Sequence, residues 1–501
     1  MSDLFLGIDS GTQGTKVVAV DAEKKATVAE GYAPHRLLED NSGMREQDPA
    51  WWLVAAEQAI AQVLSSNNAR AADVRAIGVS GQQHGMVALD ADGQVVRPAK
   101  LWCDTATTKQ AETITGKLGG NAAVIRLIGN SIAVGFTASK VLWLKENEPE
   151  RYERVRTILL PHDYINYWLT GVRACEPGDA SGTAYFDVCR REWSSAVLQT
   201  IDPSGKLADC LPKLIDSGEP VGTVQRSVAD RFGFSGNVIV SSGGGDNMMA
   251  AIGTGNVVPG VFTASLGTSG TIYAFSARPV VDAQGELAAF CSSDGNWLPL
   301  ACTMNVTVAT ETMRSLLGLD LDTLNEKAAS VPIGSNGVML LPYFNGERTP
   351  ALPRAHASLH GLTTTNLTAE SLARASMEGA TFGLRYALDV LRRNQIAPQE
   401  FRLVGGGSRS PLWRRIVADV LGYPVVCPLS SEAGALGAAI QAMWCYRRER
   451  ESGVSLPALT ADFVRLDETS RMEPVADNVQ QYTDLYQDYL RLNAAMQPMN
   501  Q

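Results

Sequence analysis

A Gly/Thr turn between two short apolar segments occurs twice in this sequence, about half the chain apart. The first copy is GTQGT, residues 11–15, and the second is GTSGT, residues 267–271. Self-similarity of this kind indicates repeated structural units, and a chain of 501 residues is too long for one ordinary core. The repeat therefore predicts two similar domains, which we place at residues 1–255 and 256–501.

Glycine and threonine in such a turn can present backbone N–H groups and hydroxyls to a phosphate. An ordinary hairpin turn uses the same residues, so one copy alone would indicate little. The first copy is not a GxxxxGK[ST] phosphate loop, because its spacing differs and a strand follows it. Two copies favour two phosphate hairpins at a shared cleft. Asp9 precedes only the first copy, whereas the second has Ser265, and this asymmetry indicates a metal ion near the phosphates in one half.

The segment VIVSSGGGDNMMAAIG, residues 238–253, has the composition of a buried strand, followed by three glycines and the start of a helix. Asp246 and Asn247 come directly after the glycines. A carboxylate between a strand end and a helix lies at the edge of a parallel sheet, where α/β proteins bind their ligands. A simpler interpretation is that Asp246 only caps the helix. The other motifs favour the ligand site.

Two further strands are predicted to end in polar or glycine-rich turns. The motif SGQQHG, which contains Gln83 and His84, follows an apolar strand and could hydrogen-bond a hydroxylated ligand. His84 by itself is more simply explained as a structural histidine. Residues 401–404 form a strand that ends in three glycines, and a helix over residues 411–421 follows. This arrangement suits a nucleotide, although glycines are also common at tight turns without a ligand.

Helix signals occur along the rest of the chain. Asp48, followed by a proline, is the N-cap of one helix, and Thr368 begins another long one. Residues 432–439 are mostly small, which suits a helix that packs closely beside the site. Residues 475–496 carry one apolar stripe and predict a helix that docks without taking part in the chemistry.

Two segments in the first half are predicted mainly from their turn formers. Residues 136–170 indicate helical structure that is broken at Pro161, with Asp163 as a cap. Residues 176–187 are polar and rich in turn residues, and they could extend over a pocket.

Composition argues against two classes of function. A net charge of −10 and a pI near 5.2 argue against a nucleic-acid partner, and no apolar run approaches the roughly 20 residues that cross a bilayer. The eight cysteines are scattered without a CxxC pair, which is typical of reduced thiols. The first residues lack the pattern of a signal peptide, so we expect a cytoplasmic protein without a membrane partner.

Five motifs stand in the order GIDSGTQGTK, SGQQHG, GGGDN, SLGTSGT and VGGGSRSPLW. In this order they resemble the FGGY family of carbohydrate kinases, and within it most closely the xylulokinases. The similarity extends from about residue 4 to about residue 445. It implies an α/β fold of two actin-like, ribonuclease-H-like domains, with ATP and sugar meeting in the cleft between them. It also implies transfer of the ATP γ-phosphoryl group to a terminal hydroxyl of an open-chain sugar.

The resemblance implies roles for individual residues. Asp246 corresponds to the catalytic base, because a carboxylate within reach of a sugar hydroxyl can take its proton. Asp9 corresponds to the acidic residue that binds Mg²⁺ through water, next to the phosphates. The positions that match sugar contacts are Gln83, His84, Asp246 and Asn247. The positions that match phosphate and adenosine contacts are Thr12, Gln13, Lys16, Gly267, Thr268, Gly406 and Gly407.

The substrate that the resemblance implies is D-xylulose, with D-xylulose 5-phosphate as the product. Glycerol kinases have Arg-Glu where this chain has Gln83-His84, which argues against glycerol. Xylulokinases have methionine at the position of Gln83, so ribulose and a pentitol stay open.

Two other classes of protein give similar motifs. An actin-like or heat-shock-type ATPase would have the same paired turns, but Asp246-Asn247 and SGQQHG favour a small hydroxylated substrate. A sugar-binding regulator without catalysis usually has an added DNA-binding domain, and the first apolar strand here begins at residue 4. The sequence leaves open whether the chain forms a homodimer.

Overall fold

The computed structural model describes residues 2–497, which fall into two compact units. The first unit comprises the chain through Val258, together with Phe275–Leu298 and Glu432–Val464. The second comprises Pro259–Ala274, Pro299–Ser431 and the residues from Arg465 onwards. Our division at residue 255 remains a prediction; the compact units add two later segments to the N-terminal part.

Runs of strands and runs of helices follow one another along the described chain. The strands up to residue 245 are β1 (Leu4–Ser10), β2 (Gly14–Asp21), β3 (Ala26–Pro34), β4 (Leu38–Glu39), β5 (Arg45–Gln47), β6 (Val74–Gly81), β7 (Val87–Leu89), β8 (Ala99–Lys100), β9 (Thr157–Leu159), β10 (Ala174–Cys175), β11 (Phe186–Asp187), β12 (Glu192–Trp193), β13 (Lys213–Leu214), β14 (Pro220–Thr223), β15 (Ile239–Ser241) and β16 (Gly244–Gly245). The later strands are β17 (Val261–Leu266), β18 (Gly270–Ala274), β19 (Ala288–Cys291), β20 (Trp297–Thr303), β21 (Met339–Leu341), β22 (Ser358–His360), β23 (Glu400–Val404), β24 (Val425–Pro428) and β25 (Leu466–Met472).

The helices have the following bounds. Those up to residue 253 are α1 (Pro49–Ser65), α2 (Thr108–Lys117), α3 (Asn121–Ile128), α4 (Thr137–Asn147), α5 (Pro149–Arg154), α6 (Pro161–Thr170), α7 (Pro177–Ala180), α8 (Ser195–Ile201), α9 (Lys206–Asp209), α10 (Arg226–Phe232) and α11 (Asp246–Gly253). The later ones are α12 (Thr307–Leu317), α13 (Leu321–Ala329), α14 (Ala369–Arg393), α15 (Pro411–Leu421), α16 (Ala433–Arg448), α17 (Leu456–Phe463) and α18 (Ala476–Met496). Short 3₁₀ helices cover Ala71–Asp73, Ser335–Gly337 and Gly406–Arg409. Within residues 2–497, every helix is too short or too polar to cross a membrane.

The sheet of the first unit has the strand order β14-β15-β6-β1-β2-β3, with β16 also paired to β6. Strand β1 is antiparallel to β2 and parallel to β6, so Asp9 lies opposite Lys16 on one side and Ser80 on the other. Gly244 of β16 lies opposite the same Ser80. The register therefore places Asp9 and the strand that leads to Asp246 at one edge of the sheet.

The sheet of the second unit repeats this arrangement. Its strands run β20-β18-β17-β23-β24-β25. Strand β17 is antiparallel to β18 and parallel to β23, as β1 is to β2 and β6. Both Gly/Thr turns thus join the first two strands of an equivalent three-stranded group. The internal repeat that the sequence predicts is confirmed at the level of strand pairing.

The predicted helix caps are also confirmed. Asp48 accepts a hydrogen bond from the Ala50 amide at 2.9 Å, and a proline follows it as the first residue of α1. Thr368 accepts one from the Ser371 amide at 3.2 Å and begins the 25-residue α14. Each cap satisfies an amide that the first helical turn leaves without a partner.

Within the first unit, helix α16 packs very closely against its neighbours, because its small residues let backbones touch. A Cβ atom on Gly437 would lie 1.8 Å from the Met249 carbonyl oxygen of α11. A Cβ on Gly7 of β1 would lie 1.8 Å from the Ala435 carbonyl oxygen. The prediction of a closely packed small-residue helix is confirmed, and its neighbours are the strands and helix that carry Asp9 and Asp246.

One part of the helical prediction for residues 136–170 is wrong. The structure has α4, α5 and α6 there, but residues 157–159 form the strand β9, which pairs with β7. A buried three-residue strand has no periodicity of its own, and its partner is about 70 residues away. The prediction that Asp163 caps a helix beginning at residue 164 is also wrong, because α6 begins at Pro161 and its N-cap is Leu160. Asp163 is the third residue of the helix and accepts from the Leu160 amide at 3.1 Å.

Candidate active site

Asp9 lies at the end of β1, against the first turn of α16. Its Oδ1 accepts a hydrogen bond from Ser80 Oγ at 2.6 Å. A Cβ on Gly434 would lie 2.8 Å from the Asp9 carboxyl carbon, so glycine is required at this point of close approach. Loss of water around the carboxylate raises the pKa of Asp9, while Ser80 and the charge of Lys16 oppose that rise.

Asp246 is the first residue of α11 and directly follows the glycine strand β16. The N-cap is Gly245, so Asp246 does not cap the helix as the simpler interpretation requires. Its Oδ1 accepts from the Asn247 amide at 2.7 Å and from Asn247 Nδ2 at 2.9 Å. Both bonds use one oxygen, which leaves Oδ2 available to a substrate.

The surroundings of Asp246 raise the pKa of its carboxyl group towards neutral pH. Removal from water is the largest cause, and the negative charges of Asp9 and Asp179 add to it, so that the pKa of Asp246 rises to about 7. Asn247 partly opposes the rise through its two hydrogen bonds. A carboxyl group whose pKa lies near the working pH is well suited to accept a proton during catalysis.

The predicted sugar-contact residues lie beside Asp246. Asn247 Nδ2 donates to Gln83 Oε1 at 2.9 Å, so the two amides and the carboxylate form one connected group. His84 has a positive φ of 63°, and its carbonyl oxygen accepts from Thr137 Oγ1 at 3.2 Å. Its ring packs 4.4 Å from that of Phe136. The structure thus brings Gln83, Asp246 and Asn247 together, whereas the ring of His84 packs against aromatic side chains.

A buried charged cluster next to this group was missed by the sequence analysis. His162 Nδ1 lies 2.7 Å from Asp179 Oδ2, and His162 Nε2 lies 3.0 Å from Asp163 Oδ1. Burial alone would lower the pKa of His162, but the two carboxylates raise it well above its ordinary value. Asp179 belongs to the turn-rich segment of residues 176–187, which is buried against the site instead of covering it as a loop. No local pattern relates these residues, because 17 positions separate His162 from Asp179.

The glycine loop before Asp246 is held by a second residue that the sequence did not reveal. Gln441 of α16 is fully buried, and its Oε1 accepts from the Gly243 amide and from Ser241 Oγ, both at 2.9 Å. Its Nε2 donates to the carbonyl oxygens of Gly243 at 3.1 Å and Ser293 at 3.0 Å. Gly243 has a φ of 69°, which glycine adopts without strain. One side-chain amide therefore fixes both backbone groups of the residue at which the loop turns.

Replacing Gln441 with leucine is expected to lower kcat about 100-fold and to change the sugar KM by less than about threefold, because a misplaced base costs rate more than binding. Steady-state kinetics on the folded variant checks this. Gln480→Leu, at an exposed position on α18, is the matched control and should retain wild-type kcat. A Gln441→Leu enzyme with near-normal kcat would show that the loop keeps its geometry without this amide.

The first Gly/Thr turn is braced by polar side chains. Thr12 Oγ1 donates to Gln82 Oε1 at 3.1 Å and accepts from Trp102 Nε1 at 3.0 Å. Gln47 Nε2 donates to the Thr12 carbonyl oxygen at 2.7 Å. The turn is therefore rigid on its inner side, and the glutamines that brace it were not predicted.

The charged residue of this turn has a protein partner. Lys16 Nζ lies 2.6 Å from Oε2 of Glu432, the residue that directly precedes α16. Gln13, at the tip of the turn, is exposed. A phosphate at this turn would compete with Glu432 for the ammonium group of Lys16.

The second Gly/Thr turn lies beside the three glycines of the second unit. The carbonyl oxygens of Gly267 and Thr268 accept from the amides of Thr307 at 2.9 Å and Val306 at 3.1 Å. A Cβ on Gly405, whose φ is 87°, would lie 2.8 Å from the Leu266 carbonyl carbon.

The next two glycines differ in their surroundings. A Cβ on Gly407 would lie 2.9 Å from Leu266 Cβ, whereas a Cβ on Gly406 would have nothing within 4 Å among the residues that the structure describes. The predicted nucleotide contacts of this unit are therefore neighbours, and the backbone at Gly406 is accessible.

The sequence matches two family models over nearly its whole length. The N-terminal domain of the FGGY family of carbohydrate kinases matches residues 4–253, and the C-terminal domain of that family matches residues 262–446. The xylulose kinase of Haemophilus influenzae is 46% identical over 491 residues, which cover 97% of this chain and 99% of that protein. The xylulose kinase of Streptomyces coelicolor is 39% identical over 482 residues, 95% of each chain.

Solved structures of similar proteins also belong to the carbohydrate kinases. The crystal structure of xylulose kinase from Bifidobacterium adolescentis has a TM-score of 0.83 and 32% identity, and it covers 97% of this chain and 99% of that one. The predicted α/β fold with two actin-like domains is confirmed. Enzymes of this family take their phosphoryl group from ATP. The chain belongs to the FGGY family of carbohydrate kinases.

Proposed function

We propose that this chain is an ATP-dependent xylulose kinase, which converts D-xylulose and ATP into D-xylulose 5-phosphate and ADP. The observation that carries the proposal is the 46% identity to a xylulose kinase over nearly the full length of both chains. The site is consistent with it, because a carboxyl group with a pKa of about 7 lies beside two amides that can bind a hydroxylated substrate.

In the proposed reaction Asp246 is the general base. The terminal sugar hydroxyl gives its proton to Asp246 Oδ2 as its oxygen forms a bond to the γ-phosphorus. The bond from that phosphorus to the bridging oxygen breaks, and ADP leaves with the electron pair. The two hydrogen bonds from Asn247 hold Oδ1, which fixes the orientation of the carboxylate towards the substrate. Assistance of this kind is worth about 10²–10⁴-fold in rate.

Asp9 is the residue proposed to hold Mg²⁺ through water. The donor set fits this ion, because the Asp9 residue is partly exposed and its carboxylate is fixed by Ser80. Residues 2–497 contain no group of three or more His, Cys, Asp or Glu side chains that could bind a metal alone. Magnesium prefers this situation, since it keeps several waters and shares the phosphate oxygens. When bound, the ion would neutralise charge that develops on the phosphates.

The nucleotide contacts are proposed from position. Thr12, Gln13 and Lys16 would bind phosphates from the first turn, and Gly267 and Thr268 from the second. Gly406 and Gly407 would lie along the adenosine, where the open backbone at Gly406 supports close approach. That the two turns face each other across the phosphates remains a prediction. A cytoplasmic location is proposed as well, and all eight cysteines have free thiols, as expected in a reducing compartment.

The choice of sugar is tested with a substrate panel. We expect kcat/KM for D-xylulose to exceed that for D-ribulose, L-ribulose, xylitol and glycerol by at least about tenfold, measured as ADP release at saturating Mg·ATP. A higher kcat/KM for ribulose or a pentitol would leave a carbohydrate kinase but overturn xylulose as its substrate.

The pKa of Asp246 predicts a pH dependence. The base must be deprotonated, and its raised pKa of about 7 means that kcat/KM for the sugar should rise about tenfold between pH 6 and pH 8 and then level off. The negative charge of Asp9 contributes to that rise in pKa. In Asp9→Asn the midpoint of the residual activity should therefore move to lower pH. A midpoint that stays unchanged would mean that another group controls the profile.

A further inference from the structure

Within the described part of the chain, the buried ammonium group of Lys140 on α4 is bound by backbone carbonyl oxygens and not by a carboxylate. It donates hydrogen bonds to the carbonyl oxygens of His84 and Gly135, while Asp104 pairs with Lys100 at 3.1 Å. Loss of water lowers the pKa of Lys140 to about 7, and the charge of Asp104 opposes that shift. A methionine of similar length would pack there without this cost, so the amine group is best explained by the bonds that it makes.

The first of these carbonyl oxygens belongs to the SGQQHG turn, which carries two of the predicted sugar contacts. Backbone bonds fix the ends of this turn, from the Gln82 amide to Ser10 at 2.9 Å and from the Met86 amide to Lys100 at 3.1 Å. Between these ends His84 has a φ of 63°, which a residue other than glycine rarely adopts unless its surroundings hold it there. The middle of the turn therefore depends on contacts from other elements.

Helix α4 supplies two such contacts, both to the carbonyl oxygen of His84. Thr137 Oγ1 donates to this oxygen at 3.2 Å, and Lys140 Nζ donates to the same atom. The two donors are three positions apart, so they lie on one face of the helix. The residue before them, Phe136, packs against the ring of His84 with 4.4 Å between the ring centres. The start of α4 thus holds both the backbone and the side chain of His84.

The residue directly before His84 is connected to the proposed base. Gln83 Oε1 accepts from Asn247 Nδ2 at 2.9 Å, and the same nitrogen donates to Asp246 Oδ1 at 2.9 Å. A Cβ on Gly245 would lie 2.6 Å from Gln83 Cγ, so the glutamine lies directly against the backbone that leads to Asp246. Because the packing is this close, a rotation of the His84 backbone would displace Gln83 from Asn247.

We propose that Lys140 is a positioning residue for sugar binding, which acts through the His84 carbonyl oxygen and holds Gln83 in place beside Asn247. Thr137 adds a second bond to the same carbonyl oxygen. The proposal rests on the function proposed above and deepens it, because it names a residue that acts on the sugar site through another residue. A neutral lysine amine keeps two N–H groups, so both bonds can form with or without the charge.

The first test is Lys140→Met, which keeps the length of the side chain and removes its hydrogen bonds. KM for D-xylulose should rise about tenfold or more while KM for ATP stays within about twofold, because Lys140 binds the turn that carries the sugar contacts. Lys145→Met on the same helix is the matched control. It removes an ion pair with the buried Asp202 at 2.6 Å, so it should lower Tm but keep the wild-type ratio of the two KM values.

Thr137 provides a second readout if Lys140→Met fails to fold. Thr137→Val removes one donor to the His84 carbonyl oxygen with little change of shape, and KM for D-xylulose should rise about threefold to tenfold. Thr137→Ser retains the hydroxyl and should restore KM for D-xylulose to within about twofold of wild type. A role confined to the stability of α4 would not separate valine from serine in the sugar KM alone.

Hydrogen exchange of the enzyme without substrate tests the proposal independently of the reaction. The backbone amides of residues 83–86 should exchange about tenfold faster in Lys140→Met than in the wild-type enzyme or in Lys145→Met. Unchanged exchange in this turn, or an equal rise of the KM values for D-xylulose and ATP, would overturn the proposal. If the wild-type enzyme does not phosphorylate D-xylulose, the proposed function has failed, and the exchange measurement still decides the role of Lys140.

Discussion

Asp246→Ala is expected to lower kcat for sugar phosphorylation by about 10²–10⁴-fold, because the hydroxyl loses its general base. The loss should be larger still if the carboxylate also orients the hydroxyl for in-line attack. Nucleotide binding should survive, since both Gly/Thr turns are formed by other residues. The measurement is kcat by ADP release, with ATP affinity by calorimetry on the same preparation.

The control for this variant is Asp230→Ala, an exposed carboxylate on α10. It should leave kcat unchanged. A folded Asp246→Ala enzyme with near-normal sugar phosphorylation would remove Asp246 from the mechanism.

Asp9→Asn is expected to lower turnover at least about 100-fold while sugar affinity stays within about twofold of wild type. The reason is electrostatic: the carboxylate that organises the charge around the phosphates is replaced by a neutral amide of the same shape. Asparagine can still accept the hydrogen bond from Ser80, so the end of β1 should keep its structure. Calorimetric titration with D-xylulose, beside steady-state kinetics, separates the two effects.

One outcome for Asp9→Asn would contradict its assignment to magnesium. If sugar affinity falls as much as turnover does, Asp9 shapes the sugar site and its assignment to magnesium is wrong. Gly434 offers an independent check, because a side chain there would push directly on the Asp9 carboxylate. Gly434→Ala should therefore reproduce the turnover defect in part.

The strand and turn features were predictable because their signals are local. The Gly/Thr turn and its flanking apolar strands occupy residues 4–21 in the first copy and residues 261–274 in the second, and both copies form the hairpins that the sequence predicts. The same holds for the strand, glycines and helix that lead to Asp246. Glycine and capping residues restrict the backbone within a few positions, so a single sequence is enough to recognise them.

The long-range contacts that hold the site in place were not predictable in this way. Gln441 acts on Gly243 across 198 positions, and Asn247 meets Gln83 across 164. Such contacts depend on how sheets and helices assemble, and a buried glutamine has no spacing rule that would reveal its partner. The short strand β9 was missed for the same reason, since only its pairing with β7 defines it.

Helix α16 connects these distant residues physically. Its first turn touches the Asp9 carboxylate through Gly434, its middle touches α11 through Gly437, and its later part binds the glycine loop through Gln441. One rigid element thus sets the relative positions of the proposed magnesium carboxylate and the proposed base. Close backbone packing of this kind tolerates only small residues, which explains the composition of residues 433–439.

The central claim, phosphorylation of D-xylulose at its terminal hydroxyl, is tested most directly by NMR of the reaction product. The enzyme, ATP, Mg²⁺ and ¹³C-labelled D-xylulose are mixed, and phosphorus–carbon coupling identifies the carbon that carries the phosphate. We predict one phosphomonoester coupled to C5, formed in equal amount to ADP and absent with Asp246→Ala. ADP without a phosphorylated sugar, or a phosphate on a carbon other than C5, would contradict the account.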